Sequence, residues 1–140
     1  TRAVARNGLV LEGNAILDTT GGLTFSGSQV FNTGQIVFAG TPGVLGLEPG
    51  TTLTLGPDMV VRGKSGTIAA SAFGTVKLIN QGLIAVDVPG GTVNLSVNQF
   101  ENSGTLRAQG AGASLRITAN PFTNTGLVEE LQGGKILINP

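Results

Sequence analysis

A five-residue motif recurs at constant spacing in the C-terminal half of the chain, and this recurrence restricts the fold more than any other feature of the sequence. Each copy begins 22 residues after the one before it. A unit of this length cannot bury its own apolar face, so it gains a core only by stacking on similar units. The spacing therefore predicts a repeat protein in which each unit forms one turn. The copies are Asn80-Gln81-Gly82-Leu83-Ile84, Asn102-Ser103-Gly104-Thr105-Leu106 and Asn124-Thr125-Gly126-Leu127-Val128.

Less regular copies extend the repeat toward the N-terminus. They begin at Asn7 and Asn32, with a degenerate copy at Asp58. Between Gly34 and Gly82 the spacing is irregular, and Ser65 to Ile68 could equally begin a unit, so the register there stays open. We expect about six turns of roughly 22 to 26 residues. The apolar residues that often precede a unit are Phe31, Ile79, Phe100 and Phe122.

Each unit also carries a second short segment, in which apolar and polar residues mostly alternate. Val93, Leu95 and Val97 alternate with polar residues, which is the period of a half-buried strand. Glycine or proline interrupts almost every stretch long enough for a helix. The second segments are Gly22 to Phe25, Thr52 to Leu55, Gly66 to Ile68, Gly91 to Leu95, Ser114 to Ile117 and Gly134 to Ile138.

These patterns predict an all-β fold, a single right-handed parallel β-helix domain over residues 1–140. Residues one turn apart then lie directly above one another, and we expect a core column of Ile36, Ile84, Leu106 and Val128. The repeated asparagines should form an amide ladder, and the repeated glycines should mark a bend with positive φ. We interpret both columns as turn chemistry and not as a ligand site. These ladder residues are Asn80, Asn102, Asn124, Gly82, Gly104 and Gly126.

The composition removes several classes of function. Cysteine, histidine, tryptophan and tyrosine are all absent. Eight basic and eight acidic residues are spread along the chain without a basic cluster, so no basic face is available for nucleic acid. No window reaches the roughly 18 apolar residues of a transmembrane helix. We therefore expect no nucleic-acid partner, no membrane insertion, no cofactor, no metal site and no catalytic residue.

The motif Phe-x-Asn-x-Gly-x-(Ile/Leu), as in Phe100 to Leu106, is followed by glycine-led strands such as Gly90 to Leu95. This arrangement covers most of the chain and resembles the β-strand repeat regions of large secreted bacterial surface proteins, such as autotransporter passengers and haemagglutinin-like adhesins. The resemblance implies an extracellular or cell-surface stalk, adhesin or fibre. It leaves the receptor open, whether cell surface or glycan, and it transfers no catalytic residue to this chain.

A carbohydrate-active β-helix, either a polysaccharide lyase or a hydrolase, is the first alternative. Asp87 has no expected partner one turn away, whereas Arg107 stacks under Glu129 as a surface ion pair. Lys64 and Ser65 are adjacent in an exposed loop, which disfavours a Ser-Lys catalytic pair. The acids available are Glu12, Asp18, Glu48, Asp58, Asp87, Glu101, Glu129 and Glu130.

An ice-binding β-helix is the second alternative, because Thr52-Leu53-Thr54 has the required alternation. The later strands do not continue a regular column of outward threonines, which an ice-binding face would need. Their expected outward residues are Asn94, Ser96, Arg116, Thr118, Lys135 and Leu137.

Neither end of the sequence looks like a capping helix, and only Lys135 and Pro140 blunt the C-terminal edge. We expect head-to-tail self-association between two strand-forming edges, which propagates into a filament unless the rotation closes a ring. The alternative is a segment of a longer solenoid whose neighbouring turns cover both edges. The edge residues are Leu9, Val10 and Leu11 at one end and Ile136, Leu137 and Ile138 at the other.

Overall fold

The computed structural model describes residues 2–6, 16–18, 22–39 and 42–139 of the chain. All regular secondary structure in these residues is β. The strands stack into a parallel β-solenoid of about five turns with about 22 residues per turn, which confirms the predicted fold class and is close to the expected six turns. The strands are β1 (Arg2–Arg6), β2 (Ile16–Asp18), β3 (Gly22–Ser26), β4 (Gln29–Phe38), β5 (Gly43–Leu47), β6 (Thr52–Gly63), β7 (Ser65–Ala70), β8 (Lys77–Asn80), β9 (Leu83–Val86), β10 (Thr92–Ser96), β11 (Gln99–Asn102), β12 (Thr105–Gln109), β13 (Ser114–Ile117), β14 (Phe122–Asn124), β15 (Leu127–Leu131) and β16 (Lys135–Ile138).

Each regular turn contributes three β segments, for example β10, β11 and β12. The first segments form a seven-stranded sheet in the order β1-β3-β5-β7-β10-β13-β16. The second and third segments belong to a nine-stranded sheet that also contains β2 and β4. In the described residues every strand pair is parallel, as expected when one turn lies above the next.

The core follows from the alternation within the strands. Ile36 pairs with Val61, Val61 with Ile84, and Ile84 with Leu106, which in turn pairs with Val128. This is the expected core column, with Val61 as a further member. Its members up to Leu106 are almost completely buried, whereas Val128 in the last turn is only half-buried. Each fully buried aliphatic side chain contributes about 1.5–3 kcal/mol relative to exposure.

One second segment was assigned wrongly and another was missed. Thr52 to Leu55 belongs to β6 and pairs with β8, so it lies in the nine-stranded sheet. The missing member of the seven-stranded sheet is β5, which pairs with β3 and β7. The positions that alternate with its inward leucines are Val44, which is exposed, and Gly46, so β5 lacks a polar outward face. Alternation identifies a strand but does not show which side of the turn the strand occupies.

The N-terminal copies of the motif also depart from the expected register. Phe31, and not Asn32, lies in the asparagine column, because Phe31 pairs with Leu55 and Leu55 pairs with Asn80. A β-bulge between Phe31 and Thr33 then shifts the register, and Asp58 pairs with Thr33. The residue in register with Asn80 is Leu55. A bulge adds one residue to one strand only, so the motif is retained while its alignment with the next turn shifts. The copy at Asn7 lies outside the described residues.

From the motif at Asn80 onward, an apolar residue before a motif lies in the core when it stands two residues before the asparagine, as Phe100 and Phe122 do, and not when it directly precedes it. Leu78 pairs with Phe100, and Phe100 pairs with Phe122, so these three form one inward column. Ile79 instead pairs with Glu101 and is only half-buried, which corrects its assignment as the equivalent residue. The Phe100 and Phe122 rings stack with their centroids 5.2 Å apart.

Candidate functional site

The asparagine column forms a hydrogen-bonded ladder at the corner between the second and third β segments. Asn80 Nδ2 donates to Asn102 Oδ1 at 2.7 Å, and Asn102 Nδ2 donates to Asn124 Oδ1 at 2.7 Å. Each Nδ2 also donates to the carbonyl of the glycine two residues later in its own turn. Asn80 and Asn102 are buried, whereas Asn124 in the last described turn is exposed. These local bonds hold the corner that separates β8 from β9 and β11 from β12.

The ladder ends below Asn80. Asn80 Oδ1 is buried without a hydrogen-bond partner. The residue beneath it is Leu55, which offers no donor. In that turn β6 continues without a break from Thr52 to Gly63. Asparagine therefore occupies this position in the turns where the second and third β segments are separate strands. Leucine occupies it in the turn of β6, where one continuous strand passes the same corner.

The glycine column is required for close stacking and not for positive φ, which corrects the expectation from the sequence. Gly82, Gly104 and Gly126 do not have a positive φ. A Cβ at Gly82 would overlap the carbonyl oxygen of Met59, and a Cβ at Gly104 would overlap that of Gly82. A Cβ at Gly126 would overlap the carbonyl oxygen of Gly104. Glycine is needed here because the backbone of one turn lies directly on the backbone of the turn below.

Charged side chains on the outer surface form ion pairs, mostly between neighbouring turns. The Arg107 and Glu129 pair expected from the register is present. Asp87, for which no partner was expected, binds Arg62, because the irregular spacing below Gly82 brings residues 25 apart into contact. The described pairs are Arg62 Nε–Asp87 Oδ2 (2.7 Å), Lys77 Nζ–Glu101 Oε1 (2.6 Å), Arg107 Nε–Glu129 Oε1 (2.6 Å) and Lys135 Nζ–Glu130 Oε2 (3.6 Å).

These pairs do not assemble into a recognisable catalytic centre. Glycosidase chemistry uses two carboxyl groups about 5 to 10 Å apart that flank one bond. Glu129 and Glu130 are neighbours in sequence but point to opposite faces of β15. In the part of the chain that the structure describes, no group of three or more His, Cys, Asp and Glu side chains could hold a metal ion. Nor does any helix there have the length and apolar character needed to cross a membrane.

A shallow groove of about 320 Å³ runs beside the asparagine ladder on the outer surface. One wall is the outward column of Ile79, Glu101 and Thr123. Hydroxyl, amide and carboxylate groups line the groove, but Glu101 is already bound to Lys77. Such a surface offers hydrogen bonds to an extended polar partner without enclosing it. The lining residues are Ile79, Gln81, Glu101, Asn102, Ser103, Thr123 and Thr125.

Phe73 is the one fully exposed phenylalanine of the six, all of which lie in described residues. It belongs to the segment 71–76 between β7 and β8. The segment is anchored at both ends, since Ser71 N donates to Leu47 O and Val76 N donates to Asn98 Oδ1, both at 2.8 Å. An exposed aromatic on an anchored loop is a candidate contact residue for a binding partner.

Where the structure describes its side chains, the outer face of the seven-stranded sheet does not present a threonine array. One outward column contains Thr67, Asn94, Arg116 and Leu137 in successive turns. A regular array requires the same residue at equal positions in each turn, which this column lacks.

The last described turn exposes apolar side chains at the end of the solenoid. In the described residues β16 pairs with β13 alone. Leu137 and Ile138 are about half exposed, and Ile136 is half-buried. Leu127 and Leu131 on β15 are also exposed. Leu9, Val10 and Leu11, which were predicted to form the opposite edge, lie outside the described residues. Among the described strands, β1 occupies the opposite edge of the seven-stranded sheet.

Sequence reasoning missed the position of Glu130. This residue pairs with Ala108 in the turn below, and Ala108 is completely buried in the core. Counting 22 residues forward from Ala108 identifies the position directly.

Comparison of the chain with protein-family models, with curated proteins and with solved structures gave no match. The fold and the contacts described above are therefore the basis for any functional conclusion.

Proposed function

We propose that this chain is a structural or adhesive segment of an extracellular surface protein, in which the solenoid acts as a rigid spacer. The observation that carries the proposal is the asparagine ladder, which joins successive turns through side-chain bonds of 2.7 Å in addition to the backbone pairing. Hydrogen-bonded side-chain columns of this kind fix the register between turns and stiffen the stack. The resemblance to repeat regions of secreted bacterial surface proteins is the source of the proposed location.

Adhesion requires a contact surface, and two features supply candidates. The groove beside the ladder presents hydroxyl and amide groups to an extended partner such as a glycan. Phe73 presents an exposed aromatic ring at a different place on the surface.

Catalysis forms no part of the proposal, and this can be tested directly. We expect no turnover on uronate polymers or common glycans, because the ordinary general base histidine is absent and the carboxylates of Asp87, Glu101, Glu129 and Glu130 are each held in an ion pair. The measurement is a reducing-end assay together with absorbance of unsaturated products. Reproducible turnover that disappears in Asp87→Asn or Arg107→Gln would contradict a purely structural role.

End-to-end stacking on a second copy of the chain completes the proposal. Stacking would continue the parallel ladder from β16 of one copy to β1 of the next, and it would cover Ile136 and Ile138, which continue the inward columns of Leu115 and Ile117. The contact joins two different surfaces and is therefore heterologous.

Proline substitution at the open edge tests this stacking. Lys135 N and Asn139 N both donate to carbonyls on the β13 side. Alternation then directs the N–H groups of Leu137 toward β13 and of Ile138 toward the open edge. We expect Ile138→Pro to weaken concentration-dependent association in sedimentation velocity while leaving the fold intact.

Leu137→Pro is the matched control, since it removes a bond inside the solenoid. We expect it to lower the melting temperature. A wild-type chain that stays monomeric at every concentration would eliminate spontaneous stacking.

A further inference from the structure

Glu130 occupies a core position in the last described turn. Val86 pairs with Ala108, and Ala108 pairs with Glu130, so the three residues form one inward column. Val86 and Ala108 are completely buried. The column therefore ends in a carboxylate, whose side chain is 41% exposed because no described turn covers it. An inward-pointing charge at an edge is a recognised means of opposing further strand pairing.

The same carboxylate binds the open edge of β16. Ile136 N donates to Glu130 Oε1 at 2.7 Å. Because Lys135 N and Asn139 N donate toward β13, alternation directs the N–H of Ile136 away from β13. The carboxylate oxygen therefore takes the place of the carbonyl oxygen that a further strand would supply. Lys135 Nζ lies 3.6 Å from the other oxygen, Oε2.

We propose that Glu130 is an edge cap that opposes stacking of a second copy of this chain on the last turn while the carboxylate is ionised. The inference rests on the proposed end-to-end association, whose regulation it describes. A stacked copy would have to remove water from the carboxylate and displace it from Ile136 N. Both steps oppose association, because burial of a charge and loss of one of its hydrogen bonds are each unfavourable.

Protonation weakens the cap. The hydrogen bond from Ile136 N lowers the pKa of Glu130 below its ordinary value, and the charge of Lys135 acts in the same direction, while partial desolvation opposes them. A lowered pKa means that the capped form is present at neutral pH and is lost as the pH falls through the lowered value. The neighbouring Glu129 on β15 faces Arg107 of β12 and does not contact this edge. We therefore expect stronger association in acid.

Glu130→Ala is the decisive variant, because alanine already occupies the same column at Ala108. Glu129→Ala on the same strand is its matched control, since it makes the same change of charge but removes a bond to Arg107 on the outer surface. Two measurements are made at neutral pH: sedimentation velocity over a range of concentrations, and hydrogen exchange of the Ile136 amide at a concentration where the chain is monomeric.

We expect the Ile136 amide to exchange about tenfold faster or more in Glu130→Ala than in wild type, and the dissociation constant for self-association to fall about tenfold or more. Glu129→Ala should change neither quantity appreciably. Adding Ile138→Pro to Glu130→Ala should reverse the gain in association.

Each result bears on a different part of the inference. Unchanged exchange at Ile136 would overturn the edge cap and leave end-to-end stacking untouched. Faster exchange without stronger association would show that Glu130 does not oppose stacking, and it would also count against stacking through this edge. An equal gain in association for Glu130→Ala and Glu129→Ala would mean that net charge alone controls association, which would contradict a specific cap at Glu130.

Discussion

Gly104→Ala is expected to lower the free energy of unfolding by about 3 kcal/mol or more, the largest effect predicted for a single methyl group in this chain. The new Cβ would lie 2.5 Å from the carbonyl carbon of Gln81 and 2.7 Å from its oxygen, and closer still to the oxygen of Gly82. These are backbone atoms of the turn below. They cannot move aside without disturbing the bond from Thr105 N to Gly82 O, which measures 2.7 Å.

Gly22→Ala provides the matched control for this substitution. A Cβ at Gly22 meets nothing within 4 Å, and its φ is not in the left-handed region. We expect a change within about 0.5 kcal/mol, as for ordinary surface substitutions. Urea unfolding followed by circular dichroism measures both variants, and the wild-type spectrum should be dominated by β structure. If Gly104→Ala were as stable as Gly22→Ala, the turns would not be stacked as closely as the structure places them.

Asn102→Leu is expected to lower the free energy of unfolding by about 1–3 kcal/mol. Asn102 accepts a bond from Asn80, donates one to Asn124, and donates another to Gly104 O at 3.3 Å. Leucine has a similar size and occupies the same column at Leu55, so the cost reports lost hydrogen bonds more than lost space. Thermal or urea unfolding measures the change.

Asn124→Leu separates the buried part of the ladder from its exposed end. Asn124 is exposed and participates in one ladder bond, so water can replace what the substitution removes. We expect a smaller loss of stability than for Asn102→Leu. Equal losses at the two positions, or none at either, would mean that burial of the amide does not determine the contribution of the ladder.

The sequence by itself determined the repeat and its consequences. The 22-residue spacing from Asn80 onward predicted parallel stacking, the asparagine ladder and the contact between Arg107 and Glu129. These inferences succeed because equal spacing places equal positions above one another, whatever the detailed shape of each turn. The core column from Ile84 through Leu106 to Val128 followed from the same argument, whereas Ile36 was placed by its position in the motif copy at Asn32.

The tertiary structure decided whatever depends on where each turn bends. The irregular turns put Leu55 beneath Asn80 and brought Arg62 to Asp87. Neither contact follows from spacing, because one added residue shifts every later pair while leaving the motif unchanged.

The roles of Gly104 and Glu130 likewise could be identified only from the tertiary structure. A glycine in a turn motif suggests positive φ, but the close approach of Gly82 is a property of two stacked backbones. Glu130 looks like a surface acid in sequence. In the structure it is in register with the buried Ala108, and its carboxylate accepts a hydrogen bond from Ile136 N. Local sequence encodes the conformation of a turn, whereas contacts between turns are set by how closely the backbones stack.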